Sequence, residues 1–461
     1  MAHELEKDAL NIGHSVAIGV AGSAPMFSLA ATLSTLIGAV GILAPASLLY
    51  CGLMMTGIVL AYRYLNERDP NAGAAYAWGS DMLGRIPGFL AGWALLVASV
   101  LFMVSATLPA GTATLTLLYP SLADSQTAII LCGMIWLVLV TWSVVKGASL
   151  AGGLLTAMTI IEMGIMAAMA IGGLMKFGGA PLHELGWHDL SLFSFTPSNF
   201  AGGAVIALFF FWGWDVSLNL SEETKNPGTA PGIGAVAAIF ALIVLFGGFT
   251  AIALLVLDDN EIQQSVTGIL FAMAEKIFPR PWSYMAILAI ILSTICTLQT
   301  QMLQFSRTMF AKSRDGALNP RWANLHDSWR TPHAATFLIC GLGLILLAAS
   351  LASEGIAQVM KDSINVIGVL AAYYYGIAGL ACAISYRDAL RQSAGAAIAK
   401  VIWPVLSALV LFWAGFQTLL ETDFATDATA LGGMALAIVP LVRFRPSARN
   451  GQSQLEEGRG A

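Results

Sequence analysis

The stretch FFFWGWDVSLNLSEETKNP, residues 209–227, decides the fold of this chain. It begins inside an apolar segment of membrane-spanning length, yet it reaches Gly213 and then the carboxylate of Asp215 within seven residues. A charge in such a segment is costly and indicates function rather than simple anchoring. A glycine between aromatic residues is a place where a helix can open, and an opened helix leaves backbone amides and carbonyls free to bind a solute. The stretch is therefore predicted to form half of a solute-binding site.

Composition places the chain among polytopic membrane proteins. Of its 461 residues, 57% are apolar and 11% are charged, whereas about a quarter of the residues of a soluble globular protein are charged. All five cysteines fall within apolar segments, which argues against a disulfide framework and against a metal cluster. No cleavage site follows a short hydrophobic core near the start, so we expect the first helix to be retained. The net charge of −5 gives no indication of a nucleic-acid partner.

Twelve apolar segments are long enough to cross about 30 Å of hydrocarbon. We predict spans at residues 12–40, 42–65, 84–113, 126–145, 148–175, 199–221, 231–257, 282–310, 333–352, 363–386, 398–420 and 428–443. Of the 22 Lys and Arg residues, only Lys176, Lys276, Arg280 and Lys361 fall in the segments that would alternate to the outside. This bias predicts that both termini are cytoplasmic. We expect the protein to lie in the plasma (bacterial inner) membrane.

The spacing of the spans predicts two structural repeats and no appended soluble domain. The expected divisions are a cytoplasmic N-terminus at 1–11, a first repeat (helices 1 to 5) at 12–175, an outer loop at 176–198, a second repeat (helices 6 to 10) at 199–386, helices 11 and 12 at 387–443, and a disordered cytoplasmic tail at 444–461. The tail is polar and rich in Gly, Ser and Glu, so it has little apolar surface to bury.

The first span contains a second interruption, in the stretch GVAGSAPMFS at residues 19–28. Proline lacks a backbone donor and clashes with the preceding turn, and glycine makes unwinding easier, so the helix is predicted to break near Gly22 to Pro25. The two breaks are five helices apart, as in transporters built from inverted repeats. The alternative is that Pro25 only kinks a packed helix, which membrane proteins tolerate.

Four groups of motifs resemble the amino acid/polyamine/organocation (APC) family of permeases over nearly the whole chain. They are GSAP at 22–25, PNAGAAYAW at 70–78 with GW at 92–93, FWGWD at 211–215 leading to EETKNP at 222–227, and QFSR at 304–307 leading to RDGALNP at 314–320. The resemblance implies an all-α polytopic membrane protein with twelve transmembrane helices. Its helices 1 to 10 would form a five-plus-five inverted repeat with discontinuous helices 1 and 6 (LeuT-like), followed by two C-terminal helices.

The same resemblance implies that a substrate is held at the two breaks. A substrate amine would meet backbone carbonyls near Ala24, Phe209 and Trp212, and a substrate carboxylate would meet the amides near Phe27 and Ser28. The sequence departs from well-known amino-acid carriers because Met26, Phe27 and Ser28 replace a Gly-Ser-Gly run. The candidate substrate-binding residues are Gly22, Ser23, Ala24, Pro25, Phe27, Ser28, Phe209, Trp212, Gly213 and Trp214.

Two intramembrane carboxylates are candidate coupling residues. Asp215 lies just past the second break, where it would contact substrate or exchange a proton, or else form a structural hydrogen bond with the frayed helix. Glu162 is the only charge in the fifth helix. In proton-coupled relatives a lysine of this helix contacts helix 1, and the matching position here is Thr159 or Glu162. A neutral Glu162, hydrogen bonded inside the bundle, is the alternative.

Other polar and aromatic residues allow more than one interpretation. Ser293, Thr294 and Thr297 place hydroxyls where sodium-coupled carriers of this fold bind an ion, although hydroxyl residues are also common in membrane packing. The aromatic residues at 209–214 pack the bundle or offer π faces to an ammonium group. At the cytoplasmic helix end, solvation or closure of an inner gate is possible for Glu222, Glu223 and Lys225. No histidine has metal-ligand spacing, and we expect neither a metal nor a cofactor.

These features favour a secondary transporter of an amino acid or a related small amine, coupled to protons or acting by exchange. The alternative is a carrier of organic cations or polyamines with the same fold, possibly sodium-coupled. An enzyme is disfavoured because the sequence shows no nucleophile with a partner base. The expected partners are therefore the solute, membrane lipid and a coupling proton.

Overall fold

The computed structural model describes residues 4–264, 268–352 and 355–444. Within these ranges the regular secondary structure is helical, apart from an isolated bridge between Leu10 and Thr224. The expected all-α fold is therefore confirmed. The predicted disordered tail lies outside the described residues from residue 445 onward.

The α-helices fall close to the predicted spans. They are α1 Ile12–Gly22, α2 Pro25–Val40, α3 Ala44–Arg68, α4 Ala75–Leu83, α5 Arg85–Leu118, α6 Gln126–Val145, α7 Ala148–Phe177, α8 Pro197–Phe210, α9 Val216–Asn219, α10 Ala230–Val256, α11 Asp259–Gln264, α12 Ile269–Ile277, α13 Met285–Arg314, α14 His333–Ala349, α15 Ile356–Ser385, α16 Ala394–Ala397, α17 Trp403–Glu421, α18 Phe424–Ala435 and α19 Ile438–Arg443.

Ten helical segments of the described chain are long and apolar enough to cross a membrane. The first of them, Ile12–Arg68, is 57 residues long and contains α1, α2 and α3. The interrupted pair α8 and α9 is not among the ten, because neither helix reaches spanning length by itself. The count of twelve and the repeat stay predictions, whereas a polytopic membrane protein is established.

The outer face of α6 shows how the bundle meets lipid. Leu131, Ile135, Val138 and Trp142 recur every three or four residues and are each more than half exposed. This spacing places them along one side of the helix. In water such a stripe would be an unusual apolar surface. In a bilayer it faces hydrocarbon, so polar side chains are not needed on this face of the helix.

The interrupted helices lie at the centre of the bundle. Helix α1 packs against α7, α10 and α13, and α2 packs against α8 and α13. Helix α13 is buried along most of its length, including the charged side chain of Arg307. The helical environment therefore holds both breaks away from lipid, which backbone without helical hydrogen bonds requires inside a membrane.

A buried ion pair closes one end of the bundle. The guanidinium of Arg307 donates two hydrogen bonds of 2.8 Å to the carboxylate of Glu223, and both side chains are fully buried. Glu222 makes a second bidentate pair with Arg314 and also accepts from the amide of Ala72. The interpretation of Glu223 as solvated is wrong, because Arg307 from α13 covers it, whereas the side chain of Glu222 stays 22% exposed.

The N-terminal segment is packed onto the same end. The amide of Leu10 donates to the carbonyl of Glu223 at 3.0 Å, and the amide of Lys225 donates to the carbonyl of Leu10 at 2.8 Å. Leu5 and Leu10 are buried, whereas the Lys225 side chain is exposed. Residues before the first helix therefore add a backbone contact to the segment that carries the Glu223 ion pair.

We predict that Glu223→Gln lowers the stability of the protein by about 3–5 kcal/mol, because it leaves the buried charge of Arg307 without its partner. The matched control is Glu67→Gln, which removes a partly exposed pair with Arg63 and should cost no more than about 1 kcal/mol. Unfolding midpoints of the two variants in detergent would provide the comparison. Equal midpoints for both variants would contradict the structural importance of the buried pair.

Candidate functional site

The first break lies between α1 and α2. Helix α1 ends at Gly22, and Ala24 has the left-handed backbone angle φ +46° that interrupts the helix. Pro25 then begins α2, a position at which proline's missing donor costs nothing and its fixed φ is already helical. The Ser28 hydroxyl donates to the carbonyl of Ser23 at 2.8 Å. The predicted interruption is present, and it is more than a kink because Ser23 and Ala24 belong to neither helix and Ala24 is left-handed.

The second break lies between α8 and α9. Helix α8 ends at Phe210, and the amides of Phe211 and Trp212 donate to the carbonyls of Leu208 and Phe209 in a last tightened turn. Gly213 has φ +97°, a conformation that other residues rarely adopt. The sequence therefore located this break correctly, because only glycine turns the chain there without strain.

The two breaks touch through their backbones. A Cβ atom added at Gly22 would overlap the carbonyl oxygen of Gly213, and one added at Gly213 would overlap the carbonyl oxygen of Gly22. Each overlap involves backbone, which cannot move aside as the end of a flexible side chain can. Close approach of the two helices therefore requires glycine at both positions.

A narrow cleft lies beside this contact, and in this structure it is closed, with no room for a water molecule. Two edge-to-face aromatic contacts border it, Phe27 with Phe102 at 5.9 Å and Phe102 with Trp212 at 5.1 Å between ring centroids. The complete lining is Gly22, Ser23, Ala24, Phe27, Ser28, Phe102, Phe209, Trp212 and Thr297. No charged side chain is among these nine residues.

Seven of the ten predicted substrate-binding residues line this cleft: Gly22, Ser23, Ala24, Phe27, Ser28, Phe209 and Trp212. Pro25 instead starts α2, and Gly213 forms the backbone contact with Gly22. Trp214 points elsewhere, since its ring stacks on Tyr375 at 5.5 Å and contacts the edge of Tyr62. The cleft therefore unites most of the predicted set, whose role in binding stays a prediction.

Asp215 is fully buried and hydrogen bonded through both oxygens. Oδ1 accepts from the Tyr375 hydroxyl at 2.7 Å, and Oδ2 accepts from Gln304 Nε2 at 2.7 Å. The Tyr375 hydroxyl in turn accepts from the amide of Gly213 at 3.1 Å. Asp215 thus fixes the turn of the second break to α13 and α15.

The sequence motifs did not identify Tyr375, the partner of Asp215, or its neighbour Tyr374 as site residues. Tyr374 accepts a hydrogen bond from Trp212 Nε1 at 2.8 Å. Three consecutive tyrosines at 373–375, inside an otherwise apolar span, were a usable signal. A buried tyrosine normally finds a partner for its hydroxyl, so such a run indicates a polar neighbour within the membrane.

Glu162 contacts the first break from α7. Its Oε1 accepts from the amide of Met26 at 3.0 Å, and Oε2 has no hydrogen-bond partner although the side chain is fully buried. Thr159 lies one turn earlier in the same helix. Of the two positions considered from the sequence, Glu162 is therefore the one that bonds to helix 1.

The amides at the start of α2 all have acceptors within the protein. Met26 donates to Glu162, Phe27 donates to Ser293 Oγ at 3.2 Å, and Ser28 donates to the carbonyl of Ala24 at 2.8 Å. Phe27 and Ser28 were expected to bind a substrate carboxylate. In this structure their amides are occupied by protein groups.

Comparison with known proteins gives the family of the chain. A family model described as amino acid permease matches residues 14–429. The Asc-type amino acid transporter 1 of Homo sapiens is 25% identical over 304 residues, which are 62% of this chain and 55% of that protein. The vacuolar cationic amino acid transporter 2 of Arabidopsis thaliana is 24% identical over 363 residues, 72% of this chain and 54% of that protein.

A third relative is named for an amine, putrescine, and not for an amino acid. The low-affinity putrescine importer PlaP of Escherichia coli is 24% identical over 332 residues, which are 68% of each chain. The chain spans little more than half the length of the first two relatives and about two thirds of this one. Relatives of this chain therefore include transporters of amino acids and of an amine.

We predict that Gly22→Ala lowers uptake of solute at least tenfold, because the added methyl group overlaps the backbone of Gly213 and overpacking of this kind costs about 1–3 kcal/mol. The control is Gly38→Ala in α2, on the other side of the same break, where an added Cβ meets nothing within 4 Å. Uptake of labelled putrescine and of a labelled amino-acid mixture by cells with equal surface expression is the measurement. Normal uptake by Gly22→Ala would contradict the requirement for backbone contact.

Proposed function

Because the chain belongs to the amino acid permease family, we propose that it is a secondary active transporter for an amino acid or a related small amine. The observation that carries this proposal is the cleft at the meeting point of the two interrupted helices. A break leaves polar backbone beside a cavity at mid-membrane, which is the usual position of a transport site. Entry of a solute would require this closed cleft to widen.

Alternating access would occur by opening either side of this cleft in turn. On one side the rings of Phe27, Phe102 and Trp212 border the cleft. At the inner end the Glu223–Arg307 pair closes the bundle. We assign helices 1–5 and 6–10 to two repeats that move relative to each other. Both termini would be cytoplasmic, because eighteen of the 22 Lys and Arg residues lie in the segments that would face inward. The membrane would be the plasma (bacterial inner) membrane.

The proposed function is tested by counterflow in proteoliposomes loaded with unlabelled amino acids or amines. Accumulation of the matching labelled solute above empty liposomes is the expected result. The Gly22→Ala protein provides the inactive control. Absence of counterflow for every amino acid and amine in the panel would refute transport of these solutes by this chain.

Coupling to protons, or exchange of solutes, would drive the cycle. Asp215 is next to the second break, and Glu162 holds the amide of Met26 at the first. The titratable groups that face Asp215 are Tyr62, Tyr374 and Tyr375, and the thiol of Cys296 faces Glu162. A proton gained or lost by either carboxylate would change which acceptors hold the breaks, so protonation would be linked to conformation.

We predict that Asp215→Asn and Glu162→Gln flatten the pH dependence of uptake between about pH 5 and pH 8 more than they weaken binding, because each keeps the shape of the side chain and removes its titration. Asp124→Asn, which alters an exposed carboxylate in a loop, should leave the profile unchanged. Uptake and substrate affinity would be measured for the three variants. A wild-type pH profile in both buried variants would identify these carboxylates as structural and favour exchange.

The second candidate function is a carrier of organic cations or polyamines of the same fold, driven with or without sodium. One relative is a putrescine importer, which favours the amine substrate. The hydroxyls considered for sodium already have protein partners. Ser293 accepts from Phe27, Thr294 donates to the carbonyl of Ile290, and Thr297 donates to the carbonyl of Ala21.

We predict that transport persists when sodium is replaced by choline at constant pH. The evidence for a sodium site is limited to hydroxyl residues, which are common in membrane packing, whereas two carboxylates that could carry a proton are buried beside the breaks. Initial uptake rates in proteoliposomes should agree within about twofold between the two salts, well below the tenfold effects that follow the loss of a single strong interaction. A strict sodium requirement would refute this prediction and assign the ion to Ser293 and Thr294.

A further inference from the structure

The start of α2 is the strongest anion-binding position beside the cleft. Helix α2 is 16 residues long, and the exposed amides and dipole of a helix N-terminus favour a negative charge. In a transporter of amino acids this position would receive the carboxylate of the substrate. Here a carboxylate is already present, because Glu162 accepts from the amide of Met26 at 3.0 Å.

The carboxylate at this position belongs to the protein and is held firmly in place. Glu162 projects from α7, which packs against α1 and α13 on the same side of the break. Its side chain is fully buried, and Oε2 has no hydrogen-bond partner. A second carboxylate brought to the same helix end would meet like charge at short range, and like charges in a desolvated site disfavour each other.

The residues that line the cleft offer a substrate carboxylate no charged donor, and the Ser23 hydroxyl is the only side-chain polar group among them without a hydrogen-bond partner. The amides of Phe27 and Ser28 donate to Ser293 and to Ala24, and no Lys, Arg or His lines the cleft. An ionised carboxylate buried there would be without a counter-charge and without a free backbone donor, which is strongly unfavourable.

The cleft suits an ammonium group better. Phe27, Phe102 and Trp212 present aromatic rings, which attract cations through their faces. The hydroxyl oxygen of Ser23 also lines the cleft, is buried and has no hydrogen-bond partner. It is available to accept from a substrate N–H.

We propose that Glu162 supplies, from within the protein, the carboxylate at the N-terminus of α2, so that the carrier selects amines without a carboxylate over amino acids. This assignment rests on the proposed transport function and chooses between its two substrate classes. Glu162 is then a specificity-determining residue that acts by occupying the subsite of the group it excludes.

The test compares amino acids with the amines formed by their decarboxylation. The pairs are lysine and cadaverine, arginine and agmatine, leucine and isoamylamine, and phenylalanine and phenethylamine. Each compound would compete for counterflow and would be assayed by thermal shift with wild-type protein. The amine should act at a concentration roughly tenfold or more below that of its amino acid, because only the amino acid must bury a carboxylate without a donor. Equal or tighter binding of the amino acid in every pair would overturn the assignment while leaving transport intact.

The variant Glu162→Ala clears the subsite and frees the amide of Met26. It should reduce the preference for the amine at least tenfold, with Glu162→Gln giving an intermediate change because it keeps the acceptor and removes the charge. Met166→Leu is the matched control, one turn along the same buried face, and should keep the wild-type preference. An unchanged preference in well-folded Glu162→Ala would also overturn the assignment.

If no compound of any pair binds to the wild-type protein, both the proposed transport function and the assignment of Glu162 fail. The wild-type comparison does not depend on the folding of any variant.

Discussion

The backbone contact between Gly22 and Gly213 is the constraint on which the rest of the structure depends. Each glycine lies against the carbonyl of the other, with no room for a Cβ atom at either position. Two intact helices with ordinary side chains could not approach so closely. The approach brings two interrupted helices together at one point, and the cleft lies beside that point. Unwinding, close approach and cavity therefore have one physical origin, the absence of side chains at two positions 191 residues apart in the sequence.

A chain of hydrogen bonds joins this contact to the end of the bundle that carries the Glu223–Arg307 pair. Asp215 accepts from Gln304, which also donates to Asn219 at 3.0 Å. Asn219 donates to the carbonyl of Ala72, and the amide of Ala72 donates to Glu222. The charged pairs at that end thus connect to the turn of the second break through polar groups with defined partners. Separation of the helices at that end would have to break or rearrange these bonds, so the ion pairs and the geometry of the break belong to one network.

The sequence could predict the features that depend on neighbouring residues and not those that depend on distant ones. The break at Gly22 to Pro25 follows from local backbone chemistry, and Gly213 is needed for its own positive φ. The partner of Asp215 lies 160 residues away and the acceptor of the Phe27 amide 266 residues away, so no local pattern could identify them. The same reason explains the wrong interpretation of Glu223. Its neighbours in the sequence, such as Lys225, indicated a solvated residue. The residue that buries it, Arg307, lies on a helix far away in the sequence.

The two buried carboxylates differ in what they can still bind. Both were candidate coupling residues from the sequence, but both oxygens of Asp215 already accept hydrogen bonds from Tyr375 and Gln304. Glu162 uses only one oxygen, on the amide of Met26, and leaves the other without a partner. A helix N-terminus is also the least costly place for an isolated carboxylate in a membrane, because the dipole stabilises its charge. Asp215 is therefore suited to hold the turn of the second break. Glu162 retains one unused acceptor beside the first break, and this oxygen can take a proton or an N–H without breaking an existing bond.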